Sequence, residues 1–356
     1  MANLYRRPVD GSHASHTGST GRSARMASVA AAALLLAMAG SGPSYADGET
    51  IGYSSPFLFS QFQVILQDQA VAVAEAAGLK VLSPTNADGD SGKQITDIRS
   101  LIGAGAKGLI VVANDSKAII PALDYAGSQN VPVVSIDIGP DGGSLYAIVR
   151  ANNVGMGWIA CADMARAIGD SGKVLSLQGA FTSINGRERS EGFHDCMTQE
   201  HPNIELIERP TDWDATKQAA ALQTVLAANP DLKGIFQQSD YALSPTLNVL
   251  KQAGRDSKVG EPDHIYNISI DASPQALELI RSGDLDAGIS QPLDAYAKYG
   301  VQYLRDAFAG KELALGATDH GSEVVEFNGN KMDLLPAVLV TRDNVDDKAL
   351  WGNQVQ

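Results

Sequence analysis

The chain is 356 residues long, with 27 Lys and Arg against 41 Asp and Glu, a formal net charge of −14. An acidic chain without a basic stripe repels phosphate backbones, which excludes nucleic acid as a partner; the acidity itself reads as plain solubility. The length suffices for two ordinary domains once an N-terminal segment is set aside.

That segment is residues 1–46. It is polar up to Arg22 and Arg25, then carries a 13-residue apolar run at 27–39 with leucines at 34–36, then Gly40, Gly42, Pro43 and Ser44-Tyr45-Ala46. A positive flank, an apolar core and a small-x-small exit are the parts of a secretory signal peptide cut after Ala46. The apolar run falls short of the roughly 20 residues that span a bilayer. No Cys sits at the cut, so the mature chain is expected free of a lipid anchor, in the periplasm. Arg6, Arg7, Asp10, Arg22 and Arg25 leave with the segment, and the mature chain keeps 23 basic and 40 acidic side chains, a formal −17.

From there strands and helices alternate. A strand is predicted over 50–54, a helix over 61–77 with an apolar stripe ending at Gly78, a strand over 79–84, and a helix over 93–102. The near-continuous apolar run KGLIVVA (107–113) suits a parallel strand buried on both faces. A helix over 118–128 and the strand VPVVSID (131–137) follow. After a connection containing Gly142-Gly143 and the strand LYAIV, the pattern restarts. Helices are predicted over 156–168, 187–200, 216–228, 244–253, 274–282 and 295–308. The strands KVLSLQG, IELIERP, KGIFQQS, IYNISID and DAGISQ lie between them, and two strands around Asn328-Gly329 come last. Such alternation means right-handed βαβ units.

One unit occurs twice. KGLIVVAND leads to VPVVSID, and KGIFQQSD leads to IYNISID, so each copy has a turn aspartate (Asp115, Asp240) and ends on Ser-Ile-Asp at Asp137 or Asp271. The fold class is therefore α/β, with two similar doubly wound parallel-sheet lobes. We expect one lobe to comprise 47–152 plus 292–335 and the other 153–291 plus 336–356. The chain would then cross near Asn152, Gln291 and Leu335, and several crossings make a hinge around which lobes close on a ligand.

In open parallel sheets ligands bind at the carboxyl ends of strands. Asp137 and Asp271 stand there, as acceptors for neutral hydroxyl groups. Arg189 follows the strand KVLSLQG; Arg187, two residues away, points elsewhere on a helix, so one can enter a cleft while the other faces water. Trp213, between two aspartates in a loop, suits the carbon face of a sugar or polyol better than a core. Phe62 fits either an opposite wall or the helix stripe, and the amide of Gln291 closes a strand at a crossing. The Gly103–Gly108 run lies between a helix and a strand, the wrong order for phosphate binding, and is a helix-ending turn. The sequence contains no G-x-S-x-G, H-E-x-x-H or C-x-x-C pattern. Cys161 and Cys196 fall in two helices flanking KVLSLQG, and two readings stand: a disulfide between neighbouring helices, or two small buried thiols. No catalytic residue, metal or cofactor is expected.

VPVVSID, the R-x-x-G-F of 189–193, the D-W-D of 212–214, NPDLKGIFQQSD, ISID with ISQ, and the late VTRDNV together resemble a type I periplasmic sugar-binding protein of an ABC importer, in the ribose-binding subclass. The resemblance implies polar ligand contacts from Asp137, Arg189, Asp271 and Gln291 and aromatic walls from Phe62 and Trp213. Ser239 matches a position usually held by Asn, Ser60 another, and Ile138 stands where the ribose-binding pattern has Arg. These departures imply a site less polar than one for ribose and a smaller or less hydroxylated ligand, such as a short polyol or deoxy sugar. The implied function is a monomeric, non-enzymatic receptor that delivers a small neutral sugar or polyol to a membrane permease. A same-fold receptor for chemotaxis or signalling and a periplasmic carbohydrate-acting enzyme are the alternatives.

Overall fold

The computed structural model describes residues 48–355, so the expected signal peptide lies outside the described residues. The first pass of the chain gives β1 (Thr50–Ser55), α1 (Gln61–Ala76), β2 (Lys80–Val81), β3 (Thr85–Asn86), α2 (Ser91–Gly103), β4 (Gly108–Val111), α3 (Ile120–Ser128), β5 (Val133–Ile136) and β6 (Ala147–Ala151). The second gives α4 (Asn153–Ile168), β7 (Gly172–Gln178), α5 (Ile184–Glu200), β8 (Ile204–Pro210), α6 (Ala215–Ala228), β9 (Leu232–Gln237), α7 (Leu243–Gln252), β10 (Tyr266–Asp271), α8 (Pro274–Ser282) and β11 (Ala287–Ser290). Then come α9 (Leu293–Phe308), β12 (Gly316–Ala317), β13 (Glu323–Phe327), β14 (Asn330–Leu335) and β15 (Val338–Val340).

The strands form two sheets. One runs β12-β13-β14-β6-β5-β4-β1-β2, with β3 also paired to β1; the other runs β15-β11-β10-β9-β7-β8. Every pairing among the βαβ strands is parallel, and antiparallel pairing is confined to the late segments. All four residues of β4 and of β5 are buried, which explains their unbroken apolar runs. The chain leaves the first sheet after Ala151, returns to it through α9, and leaves again after Leu335, because β14 pairs with β6 while β15 pairs with β11. These crossings join the two lobes as a hinge.

Local rules account for most boundaries. The side chains of Asp90, Asn152, Asp214 and Ser273 accept backbone N–H bonds at the starts of α2, α4, α6 and α8. Asn328 and Gly329 both take positive φ, 48° and 79°, as a tight hairpin between β13 and β14 requires. The strand expected over 79–84 is instead two short pieces, β2 and β3. Pro84, which cannot donate to a ladder, falls between them. Helix α5 begins at Ile184, three residues earlier than the sequence pattern suggests, which brings Asn185 into its first turn. No helix among the described residues is long and apolar enough to cross a membrane.

Helices α4 and α5 approach closely because glycines face each other. A Cβ on Gly157 would lie 2.6 Å from the carbonyl oxygen of Arg189, and one on Gly192 would lie 2.1 Å from that of Val154. One turn further along each helix, Cys161 and Cys196 are joined in a disulfide. The contact therefore fixes the helix that carries Arg189. Gly192→Ala is expected to destabilise the protein by about 1–3 kcal/mol through overpacking against backbone that cannot retreat. A lowered melting temperature in differential scanning calorimetry checks this; an unchanged one would show that the two helices are free to separate.

Candidate functional site

The two Ser-Ile-Asp termini meet. Asp137 follows β5 and Asp271 ends β10, and both have positive φ, 59° and 122°, as does Ala272 at 54°. Non-glycine residues in such regions cost about 1–3 kcal/mol each and persist only where the surroundings over-determine them. Here the surroundings do. Asp137 Oδ2 accepts from Gln63 Nε2 at 2.7 Å and its Oδ1 from Asn185 Nδ2 at 2.9 Å. Asp271 Oδ2 accepts from Ser239 Oγ at 2.5 Å and the Asp240 amide at 3.1 Å, and its Oδ1 from Gln291 Nε2 at 2.6 Å. The Asp271 carbonyl accepts from Trp351 Nε1 at 2.7 Å, and the Trp351 ring meets Phe62 edge-on.

Arg189 lies between the carboxylates, 3% exposed. Its Nε donates to Asn153 Oδ1 and its Nη1 to the Gln238 carbonyl, while the guanidinium sits 5.9 Å from the Trp213 ring centroid. Trp213 has φ 57° and reaches the end of β7 only because Gly179 has no Cβ; one built there would fall 2.0 Å from the ring. Tyr241 meets that ring edge-on.

All eight residues singled out from the sequence (Ser60, Phe62, Asp137, Arg189, Trp213, Ser239, Asp271 and Gln291) line one cavity, as does Ile138. Its volume is about 40 Å³. Five more lining residues escaped the sequence reading: Phe57, Phe59, Gln63, Asn185 and Tyr241. Phe57 and Phe59 stack in the loop after β1, and their place at a strand's carboxyl end was an available signal. Gln63 and Asn185 are helix first-turn amides with no motif around them.

The lobes also touch directly, beyond the shared cavity. Asn185 joins Asp137 to Arg150, whose Nη2 donates to Asn185 Oδ1 at 2.8 Å. Arg150 is fully buried beside the hinge and is paired across the cleft with Glu188. Arg187, which does not line the cavity, donates from Nη2 to both carboxylate oxygens of Asp141 of the other lobe, at 2.5 and 2.7 Å. Ser116 accepts from the Ile184 amide and donates its own amide to the Thr182 carbonyl. The structure is thus a closed arrangement of the lobes.

Three buried carboxylates share this region with the guanidinium of Arg189, whose hydrogen bonds go to neutral groups, while Arg150 is already paired with Glu188. Burial raises Asp137 to about 6, with Asp271 adding to the rise and Arg189 opposing it. Burial raises Asp240 to about 7, reinforced by Asp271, and burial also raises Asp271. Cys161, Cys196 and His201 form the one group of metal-ligating side chains that converges among the described residues, but both sulfurs are spent in the disulfide.

Two hinged lobes enclosing a polar cavity with aromatic walls define the class of ligand-capturing receptors that close around a solute. The family comparison places the chain within it: residues 51–312 match the periplasmic binding protein domain model, and the chain belongs to that family. It is 30% identical over 265 residues to the ribose import binding protein of Bacillus subtilis, covering 74% of this chain and 83% of that one. It is 28% identical over 314 residues to the D-apiose import binding protein of Paraburkholderia graminis, covering 85% and 96%. Among solved structures, an ABC transporter solute binding protein from Mycobacterium smegmatis with bound glycerol superposes with a TM-score of 0.73 at 26% identity, covering 84% of this chain and 96% of that one.

The raised carboxyls set a pH dependence. Unfolded aspartates titrate near 3.9, so the native state holds more protons between about pH 4 and 7. The stability linked to Asp137 and Asp240 is fully present below that window and is lost as pH rises through 6 and 7. The melting temperature of the unliganded protein is expected to rise from pH 8 to pH 5, and Asp240→Asn to flatten the slope. Thermal denaturation across that range checks both.

Proposed function

We propose that the chain is an exported solute receptor of an ABC importer. It captures a small neutral sugar or polyol between its lobes and hands it to a membrane permease. The observation that carries this reading is the convergence of strand-end residues from both sheets on one cavity lined by two carboxylates, a guanidinium, side-chain amides, hydroxyls and aromatic rings. Membership of the periplasmic binding protein family supports it, as do the import-binding relatives and the glycerol held by the Mycobacterium smegmatis structure. Signalling is not favoured by these relatives.

In this reading Asp137, Arg189, Asp271 and Gln291 bind ligand hydroxyls. Phe62 and Trp213 bracket the carbon skeleton, and Ser60 and Ser239 complete the wall. The lobes divide as 47–152 plus 292–335 and 153–291 plus 336–356, a division supported by the points at which the chain changes sheet. The segment 1–46 directs export to the periplasm and is removed. The receptor is a monomer and performs no covalent chemistry. Closure brings groups from both lobes onto the ligand, so the ligand favours the closed state by the contacts it makes only there. The direct bonds across the cleft act in the same direction.

A ligand at a hundredfold excess over its Kd stabilises by about 2.7 kcal/mol, a melting shift of several degrees. Asp271→Ala is expected to abolish that shift while leaving the unliganded melting point nearly unchanged, because relief of carboxylate desolvation offsets the lost hydrogen bonds. Thermal-shift screening with pentoses, hexoses and polyols tests it; a full response from the variant would remove Asp271 from the site. Arg187→Ala removes a partly exposed cross-lobe pair worth about 1 kcal/mol or less. It should weaken ligand affinity by up to about fivefold, mainly through faster release. Stopped-flow dissociation kinetics reads this, and an unchanged release rate would count against a role for the pair in closure.

A further inference from the structure

We infer that Gln63 determines specificity: its side-chain oxygen accepts a hydrogen bond from one hydroxyl group of the ligand. The inference rests on the receptor reading above and adds to it a contact and the chemical group that the contact requires.

Three side-chain amides brace the two strand-end carboxylates, each through its nitrogen: Gln63 and Asn185 on Asp137, and Gln291 on Asp271. An ionised carboxylate only accepts, so these bonds fix which end of each amide faces the aspartate and which end the oxygen occupies. The protein itself uses two of the three oxygens. Asn185 Oδ1 accepts from Arg150 Nη2 at 2.8 Å and from Asn153 Nδ2 at 3.3 Å. Gln291 Oε1 accepts from Tyr296 Oη at 3.0 Å. Gln63 Oε1 has no hydrogen-bond partner, although the residue is only 4% exposed. A buried acceptor without a donor carries its full desolvation cost, and such atoms are rare in folded proteins. Gln63 cannot avoid that cost by turning its amide over, because its oxygen would then face the Asp137 carboxylate.

The position of Gln63 gives that oxygen a use. The residue stands in the first turn of α1 and lines the same cavity as Asp137, Arg189 and Asp271. Among the described residues that line it, only Gln63 and Trp213 carry a buried side-chain polar atom with no partner: an acceptor in α1, and the donor Nε1 in the loop after β8. A hydroxyl group donates as well as accepts, so a sugar or polyol hydroxyl satisfies the Gln63 oxygen. An ether oxygen, or a carbon stripped of its hydroxyl, does not. A site built to hydrogen-bond a hydroxyl rejects the analogue lacking it far more strongly than an apolar wall does, because the protein's own group is then left unpaired. Gln63 therefore holds Asp137 with one end of its amide and sets a requirement at one position of the ligand with the other.

Isothermal titration calorimetry of the mature protein tests the inference with glycerol, xylitol, D-ribose, D-xylose, D-glucose and D-galactose, each beside its monodeoxy analogues. For a parent that binds, one analogue is expected to bind the wild type about tenfold more weakly or worse, and to lose that disadvantage, to within about twofold, in Gln63→Met. A side chain that only held Asp137 in place would, on replacement, weaken the parent and all its analogues by one common factor. That result would overturn the contact and leave the receptor reading intact, whereas silence from every parent would overturn both. Should Gln63→Met not fold, Gln63→Glu carries the test. At pH 5 one of the two carboxyls holds a proton and donates to the other, and an oxygen stays where the amide oxygen was. The discrimination that the wild type shows at pH 5 should therefore persist in Gln63→Glu, and its disappearance would overturn the contact.

Discussion

The architecture turns on one electrostatic problem: two aspartates from different sheets are brought together out of water. Isolated burial of such groups drives them towards neutrality, and their shifts run that way. What holds them ionisable is a shell of donors, amides from Gln63, Asn185 and Gln291, the hydroxyl of Ser239, and Arg189 between them. Much of the surrounding backbone exists to place that shell. The glycine-lined contact of α4 with α5 carries Arg189 inward, and Gly179 makes room for Trp213. The strained turn at Asp271 is held by Trp351. The duplicated strand-helix-strand unit supplies the carboxylates, while most of the braces come from outside it: Gln63 from α1, Asn185 and Arg189 from α5, and Gln291 and Trp351 from the later chain.

The same shell couples the site to the hinge. Asn185 bonds Asp137 on one side and Arg150 on the other, and Arg150 lies on β6, the last strand before the first crossing. Gln291 bonds Asp271 and also accepts from Tyr296, whose oxygen accepts the Ala151 amide at that crossing. Groups that line the cavity are therefore one or two hydrogen bonds away from the residues at which the chain crosses between lobes. The physical route from occupancy to closure is short, and it runs through side chains of both lobes.

The repeat was legible because hydrophobic runs of strand length ending on the same tripeptide occur twice, and strand ends are where open sheets bind. That logic reached Asp137, Asp271, Arg189, Trp213 and Gln291 without coordinates. Gln63 and Asn185 stayed hidden because a first-turn amide has no local signature; the role of each exists only once Asp137, far away in sequence, is opposite, on the same lobe for Gln63 and on the other lobe for Asn185. The cross-cleft pairs of Arg150 and Arg187 were illegible for the same reason. The cysteines left two readings open, and the deciding fact was three-dimensional: Gly157 and Gly192 let two helix backbones approach, one turn from the sulfurs. Pro84 was a visible clue that a single strand at 79–84 would break.

The placement of the indoles has a practical meaning. Of the three tryptophans in the chain, Trp213 lines the cavity with its buried Nε1 bonded to no protein group, and Trp351 lies directly behind Asp271 against Phe62. Indole emission responds to the polarity and charge around it, so the protein carries its own optical gauge at the place where a guest would settle. Solute capture can be followed by intrinsic fluorescence, without attaching a dye that would obstruct the moving lobes.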